Sequence, residues 1–197
     1  MRRIAFLDFD GTITFKDSFL EFIKYAKGNA AFYRGFILNS PMLIAYKLKI
    51  ISNQKAKEGI LKYFFGQMPY KEFEELCKNF SKEKLPSLIR PKAAAEIEKL
   101  KAEGVEIVIV SASAEDWVKY YCEEIGAKWI ASRLEFNSDE CFSGKLSGNN
   151  CYGVEKTIRI KELYDLNSYQ EIYCYGDSEG DKPMLSLGTA AFYKPFR

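Results

Sequence analysis

Four apolar residues, Ile4-Ala5-Phe6-Leu7, run directly into Asp8-Phe9-Asp10-Gly11-Thr12. That is the pattern of a buried strand ending at a polar, glycine-turned site. Residues 105–110 (VEIVIV) predict a second core strand, which ends at Ser111-Ala112-Ser113. Residues 128–132, 171–175 and 190–193 predict three more. Helical patterns alternate with these strands. Residues 92–103 place Ala94, Ile97 and Leu100 on one face and stop at Gly104, where a helix C-terminus favours glycine. Ser113 with Asp116 reads as a capping box opening a helix that stops at Gly126. Gly153 leads into a helix to about residue 166, and Pro183 opens a short one to residue 187. Residues 133–147 predict a hairpin or flap outside the main sheet.

Residues 15–88 have a different character, with long helical periodicity and no strand-like alternation. Phe15, Phe19, Phe22 and Tyr25 recur at helical spacing, as do Ile60 with Phe64 and Leu61 with Phe65. Asn53 is placed to cap a helix running to Phe65, and Pro69 to sit in the first turn of another running to about residue 82. Residues 32–51 are apolar enough to raise a membrane reading. They contain Arg34, Asn39, Ser40, Pro41, Lys47 and Lys49, whereas a spanning helix needs about 20 predominantly apolar residues. They predict a buried or amphipathic helical pair broken at Pro41. The aromatics are expected to form the core of this helical module.

Strands alternating with helices imply a mostly parallel sheet with right-handed crossovers. The fold class expected is therefore α/β: a Rossmann-like three-layer core with an inserted all-helical module. Residues 1–15 and 89–197 form the core and residues 16–88 the insertion.

Composition narrows the chemistry. The 197 residues contain no histidine, which excludes Ser-His-Asp and Cys-His catalysis and most zinc chemistry. The five cysteines are odd in number, scattered and free of any Cys-x-x-Cys pair, as suits free thiols in a reducing cytoplasm. The net charge is +2, yet residues 16–85 carry 13 Lys or Arg against 7 Asp or Glu. A basic lid over an acidic site would draw in phosphate esters; a set of solvated helix faces would look the same.

In open parallel sheets the ligand lies outside the carboxyl ends of the strands, where Asp8, Asp10, Ser111, Asp177 and Asp181 all fall. If Asp8 and Asp10 are both extended they leave the same face, and like charges that close favour a shared proton or a bound cation. An Asp-Gly turn whose carboxylates merely cap the backbone fits the same residues. Ser111, at a strand-to-helix turn, suits either an anion seat or a plain serine turn.

In order, Asp-x-Asp-Gly-Thr, a serine after a strand, a lysine at a helix start (Lys156) and Gly-Asp-x-x-x-Asp (176–181) resemble the haloacid dehalogenase superfamily of phosphohydrolases. The helical insertion and Gly153-x-x-Lys156 make the chain most similar to the phosphoserine phosphatase-type branch, with its helical cap. The resemblance implies that Asp8 is the nucleophile and forms an aspartyl-phosphate, with Asp10 as general acid and base. It implies that Lys156 holds nucleophile and phosphate, and that Ser111, Ala112, Gly11 and Thr12 seat the phosphoryl group. Mg2+ would be bound by Asp8, Asp177 and the Asp10 backbone carbonyl, with Asp181 supporting the metal shell. A carboxylate cannot approach a dianionic phosphate unless cations offset the repulsion, so the chemistry asks for these groups. The expected partner is a small phosphomonoester, with no nucleic acid and no stable membrane insertion, acted on by a monomer or homodimer. That branch holds its amino acid with an acidic residue early in the insertion and an arginine later. Asp17 could serve as the first, but the module's one arginine, Arg34, does not match the second. A phosphoryl-transferring mutase and a receiver-like phosphoacceptor module are the alternatives.

Overall fold

The computed structural model describes residues 2–197. Its centre is a five-stranded parallel sheet built from β1 (Arg3–Leu7), β2 (Glu106–Ala114), β3 (Lys128–Ser132), β6 (Glu171–Gly176) and β7 (Ala190–Tyr193), in the order β3-β2-β1-β6-β7. The first strand is thus the middle one, buried by neighbours on both edges and by helices on both faces.

Side-chain alternation divides the interior into two layers. Ala5 and Leu7 of β1 point into a large cluster with Ile107 and Ile109, whereas Ile4 and Phe6 point the other way with Val108 and Val110. On the first face lie α5 (Pro91–Ala102) and α6 (Glu115–Ile125). Ala93 joins Ile97 and Leu100 in the core, in place of the expected Ala94. On the second face, α7 (Val154–Leu163) contributes Ile160, and α8 (Lys182–Leu185) contributes Met184. α7 ends at Leu163, three residues short of the expected end.

Between β1 and α5 the chain forms α1 (Ser18–Leu38), α2 (Ser40–Lys47), α3 (Asn53–Phe65) and α4 (Tyr70–Glu83). α1 breaks at Gly28, where φ is +78°, a conformation glycine adopts without steric cost. The α1–α2 boundary falls at Asn39, and Pro41 lies in the first turn of α2, where its missing N–H costs nothing. α2 buries no residue fully. The caps also differ from expectation: Ser52, not Asn53, accepts the Lys55 N–H, and Pro69 immediately precedes its helix. The hairpin of β4 (Leu134–Phe136) and β5 (Phe142–Leu146) does lie outside the main sheet. It packs beside α3, with the Gln67 N–H donating to Phe142 O and the Phe142 N–H to Met68 O.

The aromatic residues do more than fill the helical layer. Phe22 packs on Phe65, Phe73 and Phe80, but it also stacks on Trp117 of α6 at 4.7 Å. One hydrophobic cluster therefore runs from the sheet through α6 into α1, α3 and α4.

Candidate active site

Each strand end delivers a different group. The Asp8 N–H donates to Tyr175 O at 2.9 Å, extending the β1–β6 ladder by one residue. The chain then makes one wide turn over Phe9–Ile13, closed by the Thr14 N–H on Phe9 O. Gly11 sits at φ +84°, and a Cβ there would lie 2.6 Å from Asp177 Oδ2. Only glycine lets the β1 turn approach the β6 end so closely.

Asp8 is 6% exposed. Its Oδ1 accepts from Lys156 Nζ at 2.5 Å and its Oδ2 from Thr12 Oγ1 at 2.8 Å. Burial pushes its carboxyl up to about 7, against the opposing pull of the Lys156 ammonium. Lys156, 1% exposed on the first turn of α7, also donates to Asp181 Oδ1 at 2.7 Å. Asp181 uses its other oxygen to accept from the Asp177 N–H, the Ser178 N–H and Ser178 Oγ. Burial alone would raise the Asp181 carboxyl, but Lys156 and these donors outweigh it and hold the group below its ordinary value. Asp177 pairs through Oδ2 with Arg197.

Asp10 faces the helical layer. Its Oδ1 accepts the Ser18 N–H at the start of α1, at 2.6 Å, and its Oδ2 accepts from Ser113 Oγ at 2.5 Å. Ser113 Oγ lies 3.1 Å from Ser18 Oγ, which accepts from Trp117 Nε1. With Ser113 donating to Asp10, these groups form one directed chain: Trp117 N–H to Ser18, Ser18 to Ser113, Ser113 to Asp10. This overturns the expected capping box, because the residue before α6 is Ala114 and Ser113 spends its hydroxyl on Asp10. β2 also continues past Val110 to Ala114, with a register shift after Ser111. Ser111 is fully buried, its Oγ accepting the Ser113 N–H. From this stretch Ala112 and Ser113 line the cleft.

The carboxylates of Asp8, Asp177 and Asp181 bring oxygens within 4.8 Å of one another. A set of hard oxygen donors without sulfur or nitrogen fits Mg2+. Asp8, Asp10, Lys156 and Asp181 line a cleft of about 300 Å3, whose far wall is formed by Leu20, Phe36, Leu43, Tyr46 and Ile60.

One cation in the cleft has no counterpart among the expected site residues. Lys57 of α3 turns inward, donating to Ala112 O at 2.5 Å and Asn150 Oδ1 at 3.3 Å. Burial lowers its pKa, with Asp10 and Asp17 opposing. Lys57 directly follows Ala56, which belongs with Ile60 to the buried face of α3. Asp17, which accepts the Leu20 N–H at the α1 N-terminus, is pushed up to about 6 by burial and by Asp10.

A central parallel sheet whose strand ends gather buried carboxylates around a buried lysine, under a helical insertion, defines an α/β enzyme. The chain belongs to the haloacid dehalogenase-like hydrolases, whose family model matches residues 5–186. Protein CicA of Caulobacter vibrioides is 35% identical over 195 residues, covering 98% of this chain and 86% of its own length. A probable phosphatase of Mycobacterium tuberculosis is 27% identical over 203 residues, covering 100% of this chain and 70% of its own length. A phosphoserine phosphohydrolase-like protein from Francisella tularensis shares the fold, with a TM-score of 0.68 at 20% identity, over 97% of this chain and 85% of that one. The expected likeness to the phosphoserine phosphatase-type branch thus holds at the level of fold.

Proposed function

We propose that the chain is a Mg2+-dependent phosphomonoester hydrolase working through an aspartyl-phosphate on Asp8. The observation that carries this reading is the unequal placement of the two strand-end carboxylates. Asp8 is held at the cleft floor by Lys156 and Thr12, and Asp10 at its side by Ser113 and the Ser18 N–H. The Asp8 carboxylate attacks phosphorus and the bond to the leaving oxygen breaks. Asp10 gives its proton to the departing alkoxide, then takes one from the water that attacks the aspartyl-phosphate. Inorganic phosphate leaves and Asp8 is restored.

Lys156 keeps Asp8 in place and offsets phosphate charge, while the strand-end turns that carry Ser111 and Ala112, and Gly11 and Thr12, seat the phosphoryl oxygens. Asp8, Asp177 and the Asp10 carbonyl would hold the metal, with Asp181 buttressing it through Asp177 and Lys156. Bound there, Mg2+ supplies positive charge against the phosphoryl oxygens. Residues 16–88 act as a cap over the core formed by residues 1–15 and 89–197. The cleft wall of Leu20, Phe36, Leu43 and Ile60 suits an alcohol with an apolar part. The relative named as a probable phosphatase supports this reading, and the free cysteines suit a cytoplasmic protein.

The test is phosphate release from an aryl phosphate, with Mg2+ or with EDTA, by the native chain and by Asp8→Asn. The native chain with Mg2+ should turn over, and the variant and the EDTA sample should not. Equal activity of the two proteins would sink the mechanism. Stable labelling of Asp8 without turnover would make the chain a phosphoacceptor module instead.

A further inference from the structure

The end of the helical layer farthest along α1 and α2 has a composition unlike the rest of the chain. Residues 22–57 contain seven Lys or Arg and no Asp or Glu. Within them Tyr33, Ile37, Leu38, Ile44, Leu48 and Ile50 are 58% to 72% exposed. Soluble monomers rarely leave large contiguous apolar surface uncovered. Arg34, Lys47, Lys49 and Lys55 are exposed around these side chains, and none forms an ion pair among the described residues.

We propose that residues 33–50 are a docking surface for an anionic lipid bilayer, seated in the interface without crossing it. Among the described residues no helix is long and apolar enough to span a membrane. An apolar helical face with a cationic rim is the pattern that lies in the headgroup region, its side chains in the acyl boundary and its lysines among anionic headgroups. A second copy of the chain fits less well. Packing this face on itself would set Arg34, Lys47, Lys49 and Lys55 against their own equivalents with no acid in the segment to offset them. The same two helices turn Phe36, Leu43 and Tyr46 inward to line the cleft, so a seated tip places the cleft mouth at the bilayer surface.

Flotation of the full chain with phosphatidylcholine vesicles, with and without phosphatidylglycerol, tests this without reference to catalysis. The chain should float with the anionic vesicles and stay behind with the neutral ones. Ile37→Asn/Leu48→Asn and, separately, Lys47→Glu/Lys49→Glu should each weaken binding at least about tenfold, given the apolar burial lost in the first and the contribution of each basic residue near an anionic surface in the second. Both double variants should keep the parent melting temperature and its turnover of a soluble aryl phosphate. Failure of the parent to float, equal flotation with neutral vesicles, or unchanged binding by either variant would overturn the proposal. A parent dimer that Ile37→Asn/Leu48→Asn dissociates, with no vesicle binding, would assign the face to a second copy.

Discussion

Lys156→Met should lower the melting temperature strongly, and less at acid pH than at neutral. The ammonium is buried between two carboxylates, 2.5 Å from Asp8 Oδ1 and 2.7 Å from Asp181 Oδ1. Methionine keeps the length of the chain but leaves both acids without a cation. Removing one partner from a buried ion pair costs about 3 to 5 kcal/mol, which for a chain of this size is a fall of roughly 6 to 20 °C. The dependence on pH follows from Asp181. In the parent its pKa is depressed, because Lys156 and the Ser178 donors outweigh burial. It therefore contributes stability that is present above the unfolded pKa and lost as pH falls through the folded one. Without Lys156 most of that compensation goes and burial dominates, so a raised Asp181 instead loses stability as pH rises. Asp8, already raised to about 7 by burial with Lys156 pulling against it, moves further the same way. The gap between parent and variant therefore widens from acid to neutral pH. Calorimetry in EDTA at about pH 4.5, close to the ordinary carboxylate values, and at about pH 8, well above them, measures it. Equal losses at the two pH values, or a loss below about 2 °C, would refute the claim that Lys156 is held by charge and not by packing.

Two further substitutions probe groups that sequence reading misassigned or passed over. Ser113→Ala removes the 2.5 Å donor to Asp10 Oδ2 and cuts the link to Ser18 and Trp117; a hydrogen bond to a charged group is worth about 1.5 to 3 kcal/mol, so kcat should fall by roughly 10- to 100-fold with little change in KM, and an unchanged kcat would show that the Ser18 N–H alone orients Asp10. Asp116→Asn should stabilise the chain above about pH 6, since Asp116 is buried, its Oδ2 has no partner, and burial raises its carboxyl to about 6. A raised carboxylate gives stability that is intact below its unfolded pKa and lost as pH rises through the folded one, so the gain should approach roughly 3 kcal/mol at most in alkaline buffer and vanish near pH 4; a gain independent of pH would contradict it.

The sheet and the strand-end carboxylates were legible because both rest on short-range rules. A run such as Ile4–Leu7 has to be buried, and the polar residues that follow have to lie at its end, so Asp8, Asp177 and Lys156 could be placed from the sequence pattern and the family resemblance together. What escaped depends on contacts between distant segments. Ser113 followed by Asp116 satisfies the local grammar of a capping box, but Asp10, 103 residues away, takes the hydroxyl. A carboxylate acceptor draws a hydroxyl more strongly than a backbone N–H offers itself as donor, and no local pattern reports that competition. Lys57 was hidden for a similar reason. One lysine among thirteen basic residues of the insertion looks like the others until α3 packs and turns it onto Ala112.

The shared core also constrains how a substrate gets in. A freely swinging lid would need an interface with little apolar burial, yet Trp117 of α6 stacks on Phe22 of α1, its carbonyl accepts from Ser81 of α4, and its indole N–H bonds Ser18. Phe22, Phe80 and Trp117 are all fully buried. Exposing side chains of this kind costs about 1.5 to 3 kcal/mol each, so lifting α1 and α4 away from α6 would consume several kcal/mol of a total stability of about 5 to 15. Such an open state would be rare. The part of the helical layer that shares least in this core is α2, which buries no residue fully and whose Leu43 and Tyr46 border the cleft. Displacement of α2 would widen the cleft without breaking the Trp117 contacts. The least tightly held border of the cleft thus lies within residues 33–50, which carry the exposed apolar and unpaired basic side chains.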